Sequence, residues 1–125
     1  MKQQGFSINK RFKSFAYAWN GIKILLREEH NSRIHLVAAI GVVMAGFFFK
    51  ISALEWMGIV FAIGLVIVLE IINSAIENIS DFISPGMNDQ IKKIKDLSAA
   101  GVLVGAITAA IIGLIVFVPK IMKLW

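Results

Sequence analysis

The residues with the most chemistry to offer are Glu29, Glu70, Asn73, Glu77, Asp81, Lys95 and Asp96. Four of them share one stretch. At about 100° per residue of helix, Glu77 falls ~20° to one side of Glu70 and Asp81 ~20° to the other. Asn73 lies ~60° away on the side of Glu77, and Ser74 ~40° away on the side of Asp81. One narrow polar stripe therefore carries three carboxylates and two neutral partners. It follows the 14-residue run Trp56 to Leu69, which holds no charge. Ionisable groups at the end of a membrane span are costly and are functional candidates by default. Hard oxygen ligands in a chain without cysteine suit Mg²⁺ better than zinc. With Lys95 nearby, the set fits phosphoryl transfer: metal-held phosphates, a cation for developing charge, and a carboxylate to deprotonate a hydroxyl. No P-loop and no protein-kinase signature is present, so any nucleotide site is built differently. Residue types and spacing leave three classes open: a phosphotransferase, an ion-conducting or transporter subunit using Glu70 and Glu77, and a non-catalytic anchor.

These residues must be held by membrane elements. The chain has 125 residues, 58% of them hydrophobic, with a formal net charge of +5. That composition points to one membrane domain over 1–125. A basic, apolar chain suits anionic lipid or phosphate, and its scattered basic residues exclude a nucleic-acid patch. The absence of cysteine excludes disulfides, thiolate metal sites and cysteine catalysis. No cleavable signal peptide is expected, because the first 33 residues lack an apolar core.

In chain order, Met1 to Asn9 is polar and expected to be loosely held. Over about 10–27, Phe12, Phe15, Trp19, Ile22 and Leu26 recur at helical spacing with basic residues between them, which predicts a helix lying in the interface. Residues 28–33 read as a polar connector. A first span is predicted over about 34–50 and a second over about 54–83, continuing as helix through the acidic stripe. Ser84-Pro85-Gly86-Met87-Asn88-Asp89 breaks the pattern. The third span is predicted over about 92–119, with Leu97 to Val118 giving 22 uncharged residues and Pro119 closing it. Its glycines and alanines permit close helix packing. Basic residues divide ten against three in favour of the side holding the N-terminus and the stripe, which predicts that side to be cytoplasmic.

The string Glu70-Ile71-Ile72-Asn73-Ser74-Ala75-Ile76-Glu77-x-x-x-Asp81, followed by Lys95-Asp96, resembles the signature of the prokaryotic diacylglycerol kinase family of small membrane lipid kinases. The resemblance extends to Ala16-Tyr17-Ala18-Trp19-Asn20-Gly21 and Glu29-x-x-x-Arg33. It implies a homotrimer of three-span protomers with an N-terminal surface helix and composite sites between protomers. The implied reaction is Mg²⁺-dependent transfer of the ATP γ-phosphate to a lipid hydroxyl at the inner membrane. Carried across, Glu70 is the catalytic base, and Glu29 and Glu77 are metal ligands bordering the nucleotide. Asn73, Asp81, Lys95 and Asp96 support or contact the nucleotide; Tyr17 and Gly86-Met87-Asn88 fall at nucleotide-contacting positions. Lys10 falls where the family has a basic residue, and Trp19 and Arg33 fall beside the lipid. Asn88 stands where the family commonly has histidine. Asn31-x-Arg33-Ile34-His35 resembles the undecaprenol kinase branch more than the diacylglycerol branch, which has an acid near the His35 position.

Several neighbours have plainer readings. Glu28 reads as a solvated acid, His35 as a polar residue at a span end, Trp19 as an interface anchor, and Phe47, Phe48 and Phe49 as lipid-facing bulk.

Overall fold

A computed structural model describes residues 5–125. Lys2, one of the basic residues behind the orientation, lies outside the described residues, as do residues 1–4 of the segment expected to be loosely held. Four helices follow in order: α1 (Ile8–Glu28), α2 (His30–Phe48), α3 (Ala53–Ile83) and α4 (Asp89–Met122). Three of them, α2, α3 and α4, are long and apolar enough to cross a membrane. The protein is an all-α, multi-pass membrane protein.

Helix α1 buries only Leu25. Phe12, Phe15 and Trp19 are all exposed, so among the described residues of this chain no protein layer covers its apolar face. A face of this kind needs lipid to remove it from water. The chain leaves α1 through a single extended residue, Glu29, at φ −107° and ψ 108°. The connector expected over 28–33 is thus shorter: His30 to Arg33 already form the first turn of α2. Arg33 makes this sharp junction possible. Its Nε donates to the Leu26 carbonyl at 2.6 Å and its Nη2 to the Arg27 carbonyl at 2.6 Å. Those carbonyls belong to the last turn of α1 and have no intrahelical partner.

Helix α2, at 19 residues, spans about 28 Å. Gly46 near its end admits the indole of Trp56, since a Cβ there would lie 2.6 Å from the ring. The turn into α3 passes through Lys50, at φ 50°. Ser52 and Glu55 then form a reciprocal capping box that starts α3. Ile51, Ile59 and Val116 make the tightest core cluster, with Val42, Phe49, Trp56 and Phe117 packed around it. Phe49 therefore belongs to this core rather than to lipid-facing bulk, while Phe47 and Phe48 are exposed.

Helices α3 and α4 run 31 and 34 residues, about 46 and 51 Å, so both outreach the ~30 Å hydrocarbon layer. Helix α4 packs mainly on α3. One close contact between them is at Gly105, where a Cβ would fall 2.3 Å from Leu69 Cδ1. Pro119 does not close α4, which continues to Met122. A proline this near the end removes one backbone bond, and the turn beyond it is held by Lys123 N–H donating to the Pro119 carbonyl at 3.3 Å. Lys120 pairs with Glu55 at 3.1 Å and ties the same end of the bundle together. The acidic stripe lies at the opposite end.

Candidate active site

The polar stripe of α3 serves two neighbours. Glu70, Ser74 and Glu77 meet α2 and the α1–α2 junction, whereas Asn73 and Asp81 meet α4. Glu70 and Ser74 are buried. The Glu70 Oε1 atom is in contact with His35 Nδ1 of α2. One turn further on, Ser74 and Glu77 face Glu29, the hinge residue between α1 and α2. The Glu29 carboxyl is held above its usual range, first by burial and then by the negative charge and hydrogen bonding of Glu77; Ser74 opposes this by donating to it. Glu28 adds a smaller repulsion. Asn78 closes the junction, its Nδ2 donating to the Ser74 carbonyl at 2.8 Å and to Glu28 Oε2 at 3.4 Å.

Glu29 and Glu77 thus hold two carboxylates side by side; no cation perturbs Glu29, while the Lys95 ammonium feels Glu77 from α4 but is paired with Asp81. Like charges this close destabilise each other unless a cation enters. The donor set fits Mg²⁺, which keeps much of its water and is bound by one or two carboxylates together with substrate phosphates. No cluster of three histidine or acidic groups exists among the described residues, so the chain does not form a closed metal cage.

On the α4 side, Ser98 Oγ donates to Asn73 Oδ1 at 2.6 Å, which orients the Asn73 amide and leaves its NH₂ group facing away from that bond. Lys95 Nζ pairs with Asp81 Oδ1 at 2.6 Å. Lys92 pairs with Asp96 one turn apart at 2.6 Å. Lys95 is half-buried against α3, so its stem is guided and its ammonium is held at the polar face.

The remaining sequence-derived residues lie outside this network. Lys10, Tyr17 and Trp19 are exposed on α1, and among the described residues no side-chain hydrogen bond or ion pair joins them to the acids. Arg33 is committed to the α1 carbonyls. In the α3–α4 loop, Ser84 Oγ donates to the Gly86 carbonyl at 3.1 Å, and Asn88 Nδ2 donates to Ser84 Oγ at 3.2 Å. Asn88 also caps α4, its Oδ1 accepting from Ile91 N–H at 2.9 Å. Met87 is exposed.

Sequence alone reads His35 as a polar residue at a span end and marks neither Ser98 nor Asn78. Ser98 stands three residues after Lys95 on the same face of α4, and Asn78 four after Ser74, so spacing alone could have flagged both. Nothing local links His35 to Glu70, 35 positions away.

Below His35 runs an apolar cavity of about 240 Å³ between α2, α3 and α4. Small residues from all three helices line it, among them Ala39, Ala62, Ala106, Ala110 and Gly113.

Comparison with known proteins gives the family. The family described as prokaryotic diacylglycerol kinase matches residues 16–117. An undecaprenol kinase of Bacillus subtilis is 40% identical over 114 residues, covering 91% of this chain and 93% of that protein. A diacylglycerol kinase of Helicobacter pylori is 34% identical over 112 residues, covering 89% and 85% respectively. The Escherichia coli diacylglycerol kinase is 29% identical over 99 residues, covering 79% and 81%. With a match that takes in the stripe, the hinge glutamate and all three spans, the chain belongs to the prokaryotic diacylglycerol kinase family.

Proposed function

We propose that this lipid kinase transfers the γ-phosphate of ATP, with Mg²⁺, to the hydroxyl of undecaprenol in preference to diacylglycerol. The observation that carries the reading is the placement of Glu70: a buried carboxylate where a membrane span meets the polar stripe, in contact with His35, which lines an apolar cavity. A hydrocarbon chain in that cavity would bring its alcohol to Glu70, which takes the hydroxyl proton as general base. Seven residues separate Glu70 from Glu77, about 10 Å of helix axis. The Glu77 side chain leans back toward the helix N-terminus, and so toward Glu70.

Glu29 and Glu77 would hold Mg²⁺, which when bound neutralises phosphate charge. Lys95, guided by Asp81, meets the developing negative charge, and Asn73, oriented by Ser98, donates to a phosphate oxygen or ribose. Asp96 and the Gly86–Asn88 loop border the nucleotide from α4, with Tyr17 and Lys10 reaching it from α1. Trp19 and Arg33 flank the lipid headgroup. The site opens on the cytoplasmic side of the inner membrane, where ATP is found, and the exposed apolar faces of α3 and α4 support assembly into a homotrimer whose protomers complete one another's sites.

The 40% identity to an undecaprenol kinase supports the polyprenol preference. Diacylglycerol is the second reading, because other relatives carry that name. Purified protein in mixed vesicles, given labelled ATP with undecaprenol and diacylglycerol side by side, decides between them. A higher kcat/KM for undecaprenol is expected; a higher value for diacylglycerol would reverse the assignment while keeping the chemistry.

A further inference from the structure

Glu70 is 5% exposed and sits on a membrane-crossing helix. A carboxylate in such a place has lost its water, and its oxygens need a donor from the protein. Among the described residues its one hydrogen-bonding partner is His35. The two come from different helices, so the contact exists only in the folded bundle. The His35 side chain keeps 31% of its surface exposed and lines the apolar cavity. One ring nitrogen is in contact with Glu70, and the same side chain borders the cavity.

We infer that His35 is a positioning residue for Glu70: its Nδ1–H donates to Oε1, fixes the carboxylate rotamer and turns Oε2 toward the incoming hydroxyl. This inference rests on the reading of Glu70 as the base. In the transfer step the alcohol proton passes to Glu70 Oε2 while the alcohol oxygen bonds to the γ-phosphorus. The bond from that phosphorus to the bridging oxygen breaks, and ADP leaves with the electron pair. Glu70 then releases its proton to water. His35 donates the same hydrogen bond before and after, so it holds the geometry without exchanging a proton.

The geometry also says which replacements can stand in. An asparagine places its amide nitrogen near the position of Nδ1, whereas a glutamine reaches toward Nε2 and cannot donate to Glu70 in the same way. The test uses the full chain in lipid vesicles with undecaprenol and MgATP, comparing His35→Ala, His35→Asn, His35→Gln and Glu70→Gln, each checked for helix content and assembly size. His35→Ala is expected to lower kcat about 10- to 100-fold with the KM for MgATP changed less than about twofold. His35→Asn should recover most of that loss and His35→Gln should not. A kcat for His35→Ala close to wild type, a loss confined to the KM for MgATP, or His35→Asn as impaired as His35→Gln would overturn the inference. Should the alanine variant fail to fold, the asparagine–glutamine comparison still decides, because both fill the space. An inactive Glu70→Gln beside a fully active His35→Ala retires His35 alone, while an active Glu70→Gln removes the base assignment and the inference with it.

Discussion

Replacing Gly105 with alanine tests whether the α3–α4 contact positions the site. The new Cβ would lie 2.3 Å from Leu69 Cδ1. Ordinary carbon–carbon contact is about 3.5 Å, so one of the two must give by about 1 Å. Leu69 precedes Glu70, and the Asn73–Ser98 bond at 2.6 Å and the Asp81–Lys95 pair at 2.6 Å cross the same interface. Overpacking costs about 1–3 kcal/mol when the surroundings yield only in part, and Leu69 Cδ1, the tip of a flexible side chain, can swing aside, so a cost near the low end is expected. Gly105→Ala should therefore melt at a lower temperature by circular dichroism in lipid micelles, with kcat reduced because the cross-helix bonds stretch. Adding Leu69→Ala removes the colliding atom. The double variant should recover stability relative to the sum of the single changes, with a coupling of about 0.5–3 kcal/mol. Strictly additive effects would refute the close approach of these two residues, and with it the idea that glycine at this position draws Lys95 and Ser98 onto the stripe.

Other outcomes follow from particular groups. The Glu29 carboxyl, raised by burial and by Glu77, costs stability when ionised; that cost is fully present above its folded pKa and vanishes as pH falls below its unfolded one. Metal-free protein should gain stability on mild acidification, Glu77→Gln should flatten that gain, and the protection by Mg²⁺ seen in wild type at neutral pH should be lost in the same variant, all read by thermal melts with and without chelator. Lys95→Met should raise the KM for MgATP with little change in melting temperature, because its Asp81 partner is well exposed and surface pairs stabilise weakly. Asn88→Ala removes the α4 N-cap and should cost about 1 kcal/mol in the same melts, with Asn88→Asp retaining the cap.

Much of this architecture is legible in the residues because membrane helices write long apolar runs and the Pro85-Gly86 break is hard to misread. The stripe is legible for a similar reason: Glu70, Glu77 and Asp81 obey the 3.6-residue period, so one face of one helix collects them. What joins helices is harder to see. Apolar residues look the same facing lipid or protein, which is why Phe49 reads as bulk yet packs on Phe117. Arg33 gives no sign that it caps the preceding helix, since that bond depends on a one-residue hinge. His35 meets Glu70 only after α2 and α3 have packed, and no periodicity within either helix encodes that meeting.

The most direct test of the whole account is the transfer of label from γ-labelled ATP to undecaprenol by wild type and Glu70→Gln, each with Mg²⁺ and with chelator, alongside nucleotide binding. Wild type should label the lipid only with Mg²⁺. Glu70→Gln should bind MgATP normally and transfer about 10²- to 10⁴-fold more slowly, as expected for loss of a general base. Transfer by Glu70→Gln at the wild-type rate, or labelling that persists without a divalent cation, would contradict the account.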